Sequence, residues 1–416
     1  MSDTYLLRPV RDDEFPTWAR AIANTYGLDL SDENLAERRA TIELERTIAA
    51  FEGDVPVGGT AAYGRLLTVP GAVLPVAGVA WVGVAPTHRR RGILTAMMRK
   101  QLTDLHENGG EPIAALYPSE AAIYGRYGYG PAARGAELRC EKRSMRFRED
   151  TDFGDGGIRL LDREEARPQI EKVYEQVRVG SVGWPDRADR FWDARLAEGP
   201  RASGGVSALR YAVHGEPGGG ATGYALYRLR NERDVFGANA SAVQVVELAA
   251  VSRQAYAALW RFLAGIDLMP WIEYEGAVDE PLPHLLADPR AVRSTEVDRL
   301  WVRLVDVDRA LAGRRYLTAI DVVLDVQDDF CPWNTARFRL RADGHTVRCE
   351  RTGAPPDLRL TAAELGAAFL GGTTLASLAS AGRVRELRPG ALARASAAFR
   401  GSAEPFYPGG RGFPTY

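Results

Sequence analysis

The fold of this chain is decided by one stretch, Val82 to Met98, which reads V-G-V-A-P-T-H-R-R-R-G-I-L-T-A-M-M. An apolar strand runs into a loop that holds three arginines and Gly92, and a helix follows at once. The helix ends at Asn108-Gly109-Gly110. Its apolar face, at helical spacing, consists of Leu94, Met97, Met98, Leu102 and Leu105. The first turn of a helix has N–H groups without intrahelical partners and a partial positive charge. With the arginines beside it, this turn predicts a loop that binds a pyrophosphate.

This loop resembles that of a known superfamily. The spacing Arg89-x-x-Gly92 is similar to the acetyl-CoA loop of the GCN5-related N-acetyltransferases, although Leu94 stands where that loop ideally has glycine or alanine. The string A-P-T-H-R-R-R-G-I-L resembles the Eis (enhanced intracellular survival) acetyltransferases, in which leucine is usual at this place. A second string, S-E-A-A-I-Y-G-R-Y-G-Y-G from Ser119 to Gly130, resembles the same family. The resemblance extends over the whole chain. The alternative is an ordinary strand, loop and helix with a solvated basic loop.

The composition is that of a globular protein, with 45% hydrophobic and 26% charged residues. A length of 416 residues predicts two or three domains. A formal net charge of −2 gives no general attraction to nucleic acid or to anionic membranes. The most apolar stretch, Gly71 to Pro86, is interrupted by proline and glycine and falls short of the ~20 residues of a membrane span. The first residues contain no apolar signal segment. We therefore expect a cytoplasmic protein without nucleic-acid or membrane partners.

The cysteines and histidines indicate no metal site. Cys140, Cys331 and Cys349 are odd in number and lack C-x-x-C spacing, which argues against a disulfide framework and against a zinc site. The five histidines are scattered, and none forms an H-x-x-x-H pair. We read His88, beside the arginines, as structural or close to a phosphate, and His284 as a turn or core residue.

Residues 1–150 alternate helices and strands, which indicates a mixed α/β sheet. The predicted elements are a helix near Asp12 to Tyr26, a segment from Ser31, strands at Thr47 to Glu52 and from Gly58, the quoted strand and helix, and a short buried strand at Pro112 to Tyr117. This part forms a complete acetyltransferase (GNAT) unit by its resemblance.

Residues 151–295 read as a degenerate repeat of the first part. Strands at Gly223 to Leu229 and Val245 to Val251 precede an amphipathic helix at Arg253 to Ala264. The loop between them reads Ser252-Arg253-Gln254-Ala255, with neither the glycine nor the arginine cluster. Such a loop is poorly suited to a pyrophosphate. We therefore predict a second GNAT fold that has lost its cofactor, and another role for it stays open.

Residues 296–416 change character to an α+β pattern. Alternating strands at Arg299 to Val305, Asp321 to Val326 and Arg337 to Leu340 precede helices at Thr361 to Leu370 and Leu375 to Ala381. The phrase D-L-R-L-T-A-A-E-L-G-A-A-F-L-G-G resembles a sterol-carrier-protein-type domain, which the Eis family has at its C-terminus. We interpret its apolar helical face as core rather than as a lipid tunnel.

Resemblance to the family implies acetyl-CoA as the cofactor, in the role of cosubstrate. The strand that carries Val82 splays from its neighbour in this fold, so that its main chain pairs with the pantetheine arm. The N–H of Val82 then faces the thioester oxygen, an oxyanion-type contact. Gly83 marks a bulge or a packing accommodation. The predicted cofactor-binding residues are Val82, Gly83, Val84, Arg89, Arg90, Arg91, Gly92, Ile93 and Leu94.

Tyr124 matches the tyrosine that the Eis family uses as a general acid. A thiolate leaving group has a pKa of ~8.5 and a phenol one of ~10, so a phenol within hydrogen-bond reach can protonate it. Tyr127 and Tyr129 lie in the same glycine-rich segment and are read as packing or wall residues. Without the resemblance, all three tyrosines are candidates for the acid. Arg126 either orients the cofactor or is solvated, and we read it as solvated.

The second catalytic group implied by the family is the main-chain carboxylate at the C-terminus, here that of Tyr416. A terminal carboxyl has a pKa of about 3.5, so it is charged at neutral pH and accepts a proton or holds an ammonium. The alternative is a frayed tail, the usual fate of a terminus. The proline and aromatic residues of the last dozen positions favour a docked tail.

The resemblance implies that the small-molecule acceptor is a cationic amine: an aminoglycoside acetylated at several positions, a lysine side chain or a polyamine. Candidate substrate-binding residues are Trp81, Asp29, Asp32, Glu33, Ser119 and Glu120. A second reading is a non-catalytic protein, a sensor that binds acyl-CoA or another ligand. Tyr124 and the terminal carboxylate separate the two readings, and both are present. The family is hexameric, so we expect a homo-oligomer.

Overall fold

The structure is a computed structural model that describes residues 5–197 and 205–408. The chain divides into two compact units. The first contains the described residues of Met1–Ala133, Pro185–Ala194 and Arg299–Tyr416. The second contains those of residues 134–184 and 195–298.

The N-terminal part of the first unit is a sheet covered by helices. Its strands are β1 (Leu6–Arg8), β2 (Thr47–Glu52), β3 (Val55–Val69), β4 (Ala72–Val84) and β5 (Ile113–Leu116). Its helices are α1 (Phe15–Thr25), α2 (Asp32–Thr41), α3 (Ile93–Asn108) and α4 (Ala121–Tyr124). The strands follow one another in chain order across the sheet, antiparallel except for the parallel pair β4 and β5. Each element predicted here is present, and the strand expected from Gly58 begins three residues earlier, at Val55.

Two irregularities open this sheet near Val82. The pairing of β3 with β4 shifts register, since Gly59 faces Gly83 whereas Ala61 faces Ala80. Trp81 and Val82 therefore bulge out of the ladder, and Trp81 has a φ of 59°. The parallel pairing of β4 with β5 covers only the segment that ends at Val79. Beyond that point the two strands have no shared ladder, so that a ligand has access to the main chain of β4.

The chain continues through a second sheet. Its strands are β6 (Gly130–Glu141), β7 (Gly157–Leu161), β8 (Arg210–Gly215), β9 (Ala221–Arg230), β10 (Ala242–Ala250) and β11 (Trp271–Gly276). Its helices are α5 (Arg163–Arg178), α7 (Arg253–Gly265) and α8 (Leu282–Leu285), whereas α6 (Asp189–Arg195) belongs to the first unit except for its last residue. Within the second unit the strand order is β6-β11-β10-β9-β8-β7, with β10 and β11 parallel. A register shift between Val245 and Glu247 repeats the bulge of β4. The strand order, the one parallel pair and the bulge thus repeat the topology of the first sheet.

The C-terminal part contains the remaining elements. Its strands are β12 (Val292–Leu304), β13 (Ile320–Gln327), β14 (Ala336–Ala342), β15 (Val347–Arg351), β16 (Leu358–Thr361) and β17 (Arg385–Glu386). Its helices are α9 (Val307–Ala312), α10 (Ala362–Ala368), α11 (Leu375–Ser380) and α12 (Ala391–Phe399). The last five strands form a sheet of order β15-β14-β13-β16-β17. The end of β12, Trp301–Leu304, pairs antiparallel with β5. The apolar face of α10 is buried, as the sequence predicted for a core helix.

Candidate functional site

The arginine loop has the main-chain geometry of an anion site. Gly92 is the N-cap of α3 with a φ of 83°, and an added Cβ there would meet no atom within 4 Å. Arg90 also has a positive φ, of 63°. The first helical hydrogen bond runs from the N–H of Ala96 to the carbonyl of Gly92, so the N–H groups before it lack an intrahelical partner. Glycine adopts the left-handed conformation of this position without strain, and because it has no side chain the turn stays open towards the cavity.

A cavity of about 800 Å³ runs from this loop along the open end of β4. Eight of the nine predicted cofactor residues line it: Val82, Gly83, Val84, Arg89, Arg90, Gly92, Ile93 and Leu94. The exception is Arg91, whose Nη1 donates to the hydroxyl of Tyr5 at 3.3 Å. His88 also lines the cavity, and its Nε2 lies 3.2 Å from a carboxylate oxygen of Glu52. Sequence reasoning missed four lining residues, Thr25, Tyr26, Thr95 and Ile123.

The tyrosine loop, Ser119–Gly130, forms the opposite wall. Tyr124 ends α4 and is only 3% exposed, yet it lines the cavity together with Ser119 and Glu120. Burial raises the pKa of Tyr124 to about 12, against an opposing effect of its hydrogen bond with Ser119. The phenol therefore keeps its proton at neutral pH and is available as a donor.

The neighbouring tyrosines occupy different environments. The hydroxyl of Tyr127 lies 3.3 Å from that of Thr95 in the first turn of α3, and Tyr127 lines the cavity beside Arg126. Tyr129 is fully buried, with its ring at 6.2 Å and 74° from that of Tyr124. Burial raises the pKa of Tyr129, whose hydroxyl has no hydrogen-bond partner. Tyr127 is thus a wall residue, and Tyr129 supports Tyr124 from behind.

A second cavity of about 520 Å³ lies beside the first and shares four of its lining residues, Tyr26, Val82, Ser119 and Tyr124. Its walls are largely apolar and aromatic, and Trp81 forms part of them. The indole of Trp81 donates to the hydroxyl of Tyr63 at 2.7 Å and stacks on Trp18 at 5.2 Å. These contacts hold Trp81 in one orientation.

The charge in this second cavity is positive. Among the described residues that line it, Arg38 is charged and none carries a carboxylate. The guanidinium of Arg38 lies 5.4 Å from the ring centroid of Trp81. Tyr117, another lining residue, accepts a hydrogen bond from Arg299 at 3.0 Å. This surface suits an apolar or aromatic group better than it suits a polycation.

The structure does not bring the predicted acidic residues into either cavity. Asp29, Asp32 and Glu33 lie before or in the first turn of α2, and Asp32 accepts a hydrogen bond from Arg20 at 2.5 Å. Tyr416 lies outside the described residues. Tyr26, Tyr117 and Arg38 carry no sequence signal, because their approach to β4 depends on how helices and strands pack.

In the second unit, side chains of that unit form hydrogen bonds with the bulge at Val246 and Glu247. Arg195 donates to the carbonyl of Val246 at 3.0 Å and to Glu247 at 2.9 Å, and Tyr224 donates to Glu247 at 2.6 Å. In the first sheet the corresponding carbonyl of Val82 accepts a hydrogen bond from the hydroxyl of Tyr26. The N-terminus of α7 is capped by the hydroxyl of Ser252. These contacts, with the missing glycine and arginines, leave this copy without the features of an anion site.

Residues 5–197 and 205–408 contain no group of three or more histidine, cysteine, aspartate or glutamate side chains that could hold a metal ion. Across the same described ranges, every helix is too short or too polar to cross a lipid bilayer.

Comparison with known proteins identifies the three parts of the chain. Residues 7–132 and 183–304 each match a model of an acetyltransferase (GNAT) domain, and residues 307–408 match a sterol carrier protein domain. These matches agree with the tandem GNAT folds and the C-terminal α+β domain expected from the sequence.

Similar proteins match over nearly the whole chain. An uncharacterised N-acetyltransferase of Streptomyces avermitilis is 39% identical over 97% of this chain and 99% of its own length. The N-acetyltransferase Eis of Mycobacterium tuberculosis is 36% identical, with 93% and 95% covered. The crystal structure of Eis1 from Mycobacterium abscessus superposes with a TM-score of 0.84 at 35% identity, covering 97% of this chain and 99% of that one. The chain is therefore an acetyltransferase and belongs to the Eis family of GCN5-related N-acetyltransferases.

Proposed function

We propose that this enzyme transfers the acetyl group of acetyl-CoA to a primary amine, with Tyr124 as the general acid. The observation that carries the proposal is the position of Tyr124, which lines both cavities at the point where they share residues. A donor bound in the first cavity and an amine bound in the second would then meet beside its phenol. Acetyl-CoA, the donor used by the GNAT family, supplies an acyl group activated as a thioester.

The residues of the arginine loop fit the pyrophosphate of acetyl-CoA. Arg89 and Arg90 would supply positive charge, and the first-turn N–H groups of α3 would donate hydrogen bonds beside Gly92. Arg91, bonded to Tyr5, would contribute at the rim. The main chain of β4 around Val82 would pair with the pantetheine arm and present an N–H to the thioester oxygen.

We propose the terminal carboxylate of Tyr416 as the second catalytic group. It would act as a general base or hold the ammonium of the substrate. The described part of the tail supports docking, because Phe406 and Tyr407 are buried. Pro405 packs beside Gly372, where its ring carbons would lie 2.9 Å from an added Cβ. The tail is therefore packed against the protein up to Pro408, and the eight residues after it lie outside the described range.

For the acceptor, two candidates follow from different observations. Resemblance to Eis suggests aminoglycoside, lysine or polyamine amines. The second cavity, aromatic and positive, favours an amine on an apolar or aromatic body, with Trp81 as a wall. Ser119 and Glu120 would lie where the amine approaches Tyr124. Asp29, Asp32 and Glu33 would act only on parts of a large acceptor that extend beyond both cavities.

The test is release of free CoA from acetyl-CoA in the presence of kanamycin, a polyamine, a lysine peptide and phenylethylamine in turn. Amine-dependent release establishes the transferase on that acceptor. Binding of acetyl-CoA without release by any amine favours the sensor reading instead.

A pair of variants then separates the two acceptor classes. Arg38→Glu reverses the charge in the second cavity and should raise kcat/KM for kanamycin relative to phenylethylamine. Arg39→Glu, on the same helix but outside both cavities, is the matched control. An equal response of both variants would contradict binding of the acceptor in this cavity. We also propose a homohexameric assembly, which sedimentation equilibrium can measure directly.

A further inference from the structure

A fully buried arginine lies behind the tyrosine loop. Arg303, on β12, has no exposed surface. At Gly128, an added Cβ would lie 2.3 Å from its Nη1 and 2.7 Å from its Cζ. Gly128 has a φ of 82°, so glycine both permits the turn and leaves room for the guanidinium. Arg303 therefore packs directly against the main chain of this turn.

The turn is linked to the candidate acid by two main-chain hydrogen bonds. The N–H of Gly128 donates to the carbonyl of Gly125 at 3.0 Å, and the N–H of Tyr129 donates to that of Tyr124 at 3.3 Å. A displacement of Gly128 is consequently passed to the residue whose phenol lines both cavities. The rings of Tyr124 and Tyr129 are also in edge contact, so a displacement of the turn can reach Tyr124 through Tyr129 as well.

Arg303 is held from the sterol-carrier-type domain. Its Nη2 donates to Asp328, and this ion pair is almost completely buried. The other oxygen of Asp328 accepts from the N–H of Cys331 at 2.9 Å. Asn334 donates to Asp328 at 3.1 Å and to the carbonyl of Val305 at 3.0 Å. These bonds fix the carboxylate, and the carboxylate fixes the guanidinium.

Stability alone does not account for this arrangement. The Nε and Nη1 of Arg303 make no well-formed hydrogen bond, and the neighbouring thiol of Cys331 offers the guanidinium only a weak acceptor. The buried hydroxyl of Tyr129 also has no partner. Buried polar atoms without partners cost free energy, and a buried ion pair is often replaceable by apolar side chains without loss of stability. A costly group in contact with a catalytic loop is better explained by the geometry that it imposes there.

The same domain contacts the loop at Tyr127 and the residue that follows the loop, Pro131. Phe330 packs on Tyr127 with ring centroids 4.9 Å apart, and its carbonyl accepts from Arg99 of α3 at 3.0 Å. Thr373 donates to the carbonyl of Pro131 at 3.2 Å, directly after the loop. The C-terminal domain thus supports the second half of the tyrosine loop and the residue after it.

We propose that Arg303, anchored by Asp328, is a positioning residue for acetyl transfer. It holds the turn at Gly128 so that the phenol of Tyr124 stays in reach of the departing thiolate. This inference rests on the proposed role of Tyr124 as the acid. It gives the sterol-carrier-type domain a part in catalysis that requires no lipid.

The experiment compares full-length variants by kcat, KM for the amine, Kd for acetyl-CoA and melting temperature. Arg303→Met leaves a buried carboxylate unpaired, so Arg303→Met/Asp328→Asn is made as well, because it removes both charges and protects the fold. Arg178→Lys is the control, a buried arginine of the second unit whose side chain pairs with Glu175 of its own helix, α5. It should lower the melting temperature and leave kcat unchanged.

The double variant should keep its affinity for acetyl-CoA and lose roughly 10- to 100-fold in kcat, the size of effect that a misplacement of about 1 Å produces. The loss should disappear in a Tyr124→Phe background, because a residue that acts through Tyr124 has nothing left to position. An unchanged kcat in the folded double variant, or a loss that persists in that background, would overturn the role of Arg303. Full turnover by Tyr124→Phe alone would instead remove the acid on which the inference rests.

Discussion

Glu280 in the second unit makes the stability of this protein depend on pH. Its carboxylate accepts a hydrogen bond from the hydroxyl of Tyr256 on α7. Burial raises the pKa of Glu280 from the ordinary 4.5 to about 7, although the Tyr256 hydroxyl and the N–H of Ala277 lower it in part. The charged form is thus disfavoured in the folded protein relative to the unfolded chain.

The sign follows from linkage. Below pH 4.5 the carboxyl is protonated in both states and has no effect on the free energy of unfolding. Between pH 4.5 and 7 only the folded state keeps the proton, so stability falls as the pH rises, and above pH 7 the loss is complete. At 1.36 kcal/mol for each pKa unit, the full loss is on the order of 3 kcal/mol.

The perturbation is Glu280→Gln, a neutral side chain of the same shape whose oxygen still accepts from Tyr256. We expect the variant to be more stable than the parent by about 2 to 3 kcal/mol at pH 8 and nearly equal to it at pH 4.5. Urea unfolding followed by tryptophan fluorescence at both pH values measures the difference. Glu149→Gln, an exposed glutamate of the same unit, controls for the loss of one charge. A gain of equal size at both pH values would refute the reasoning.

Three further changes test the site. Tyr124→Phe should lower kcat by about 10²- to 10⁴-fold while leaving the Kd of acetyl-CoA nearly intact, because it removes the proton donor and little else. Arg90→Ala with Gly92→Glu should weaken acetyl-CoA binding by about 100-fold or more in calorimetry, since it removes a cation and adds a carboxylate on an open turn. Residues added after Tyr416 should reduce turnover, because an extension removes the terminal carboxylate that we propose as the second catalytic group.

Each of these has a result that would count against it. Turnover of Tyr124→Phe at the parent rate would transfer the role of acid to another group. Unaltered acetyl-CoA affinity in the loop variant would place the pyrophosphate elsewhere. Full activity of an extended chain would mean that the C-terminus does not enter the site.

Local signals in the sequence were sufficient for many, though not all, elements of the fold. The strand Thr47–Glu52 lies at the predicted residues, and α7 begins at Arg253 as expected. Hydrophobic periodicity, capping side chains and glycines act over a few residues, so they can be read without knowing the tertiary structure. The same holds for the arginine loop, because a turn that needs positive φ and a helix N-terminus that attracts anions are adjacent in the chain.

The second cavity, by contrast, was decided only by tertiary packing. Tyr26 ends α1, Arg38 lies on α2 and Tyr117 follows β5, and nothing in their local sequence indicates that they meet beside Trp81. The acidic residues near α2, which were suggested by the resemblance to the family, do not line this cavity. An acidic residue that is close to the site in sequence adds charge to the site only if the fold directs its side chain into the cavity.

The sequence by itself determined the two GNAT folds, the C-terminal α+β domain and the turn of the arginine loop, because each is encoded by contiguous patterns. Only the tertiary structure decided that Arg303 lies beneath Gly128 and that Asp328 holds it there. Residues about 175 positions or more apart in the chain meet because β12 pairs with β5 and brings the C-terminal domain to the tyrosine loop. Such contacts follow from the path of the chain through space, which no local pattern records.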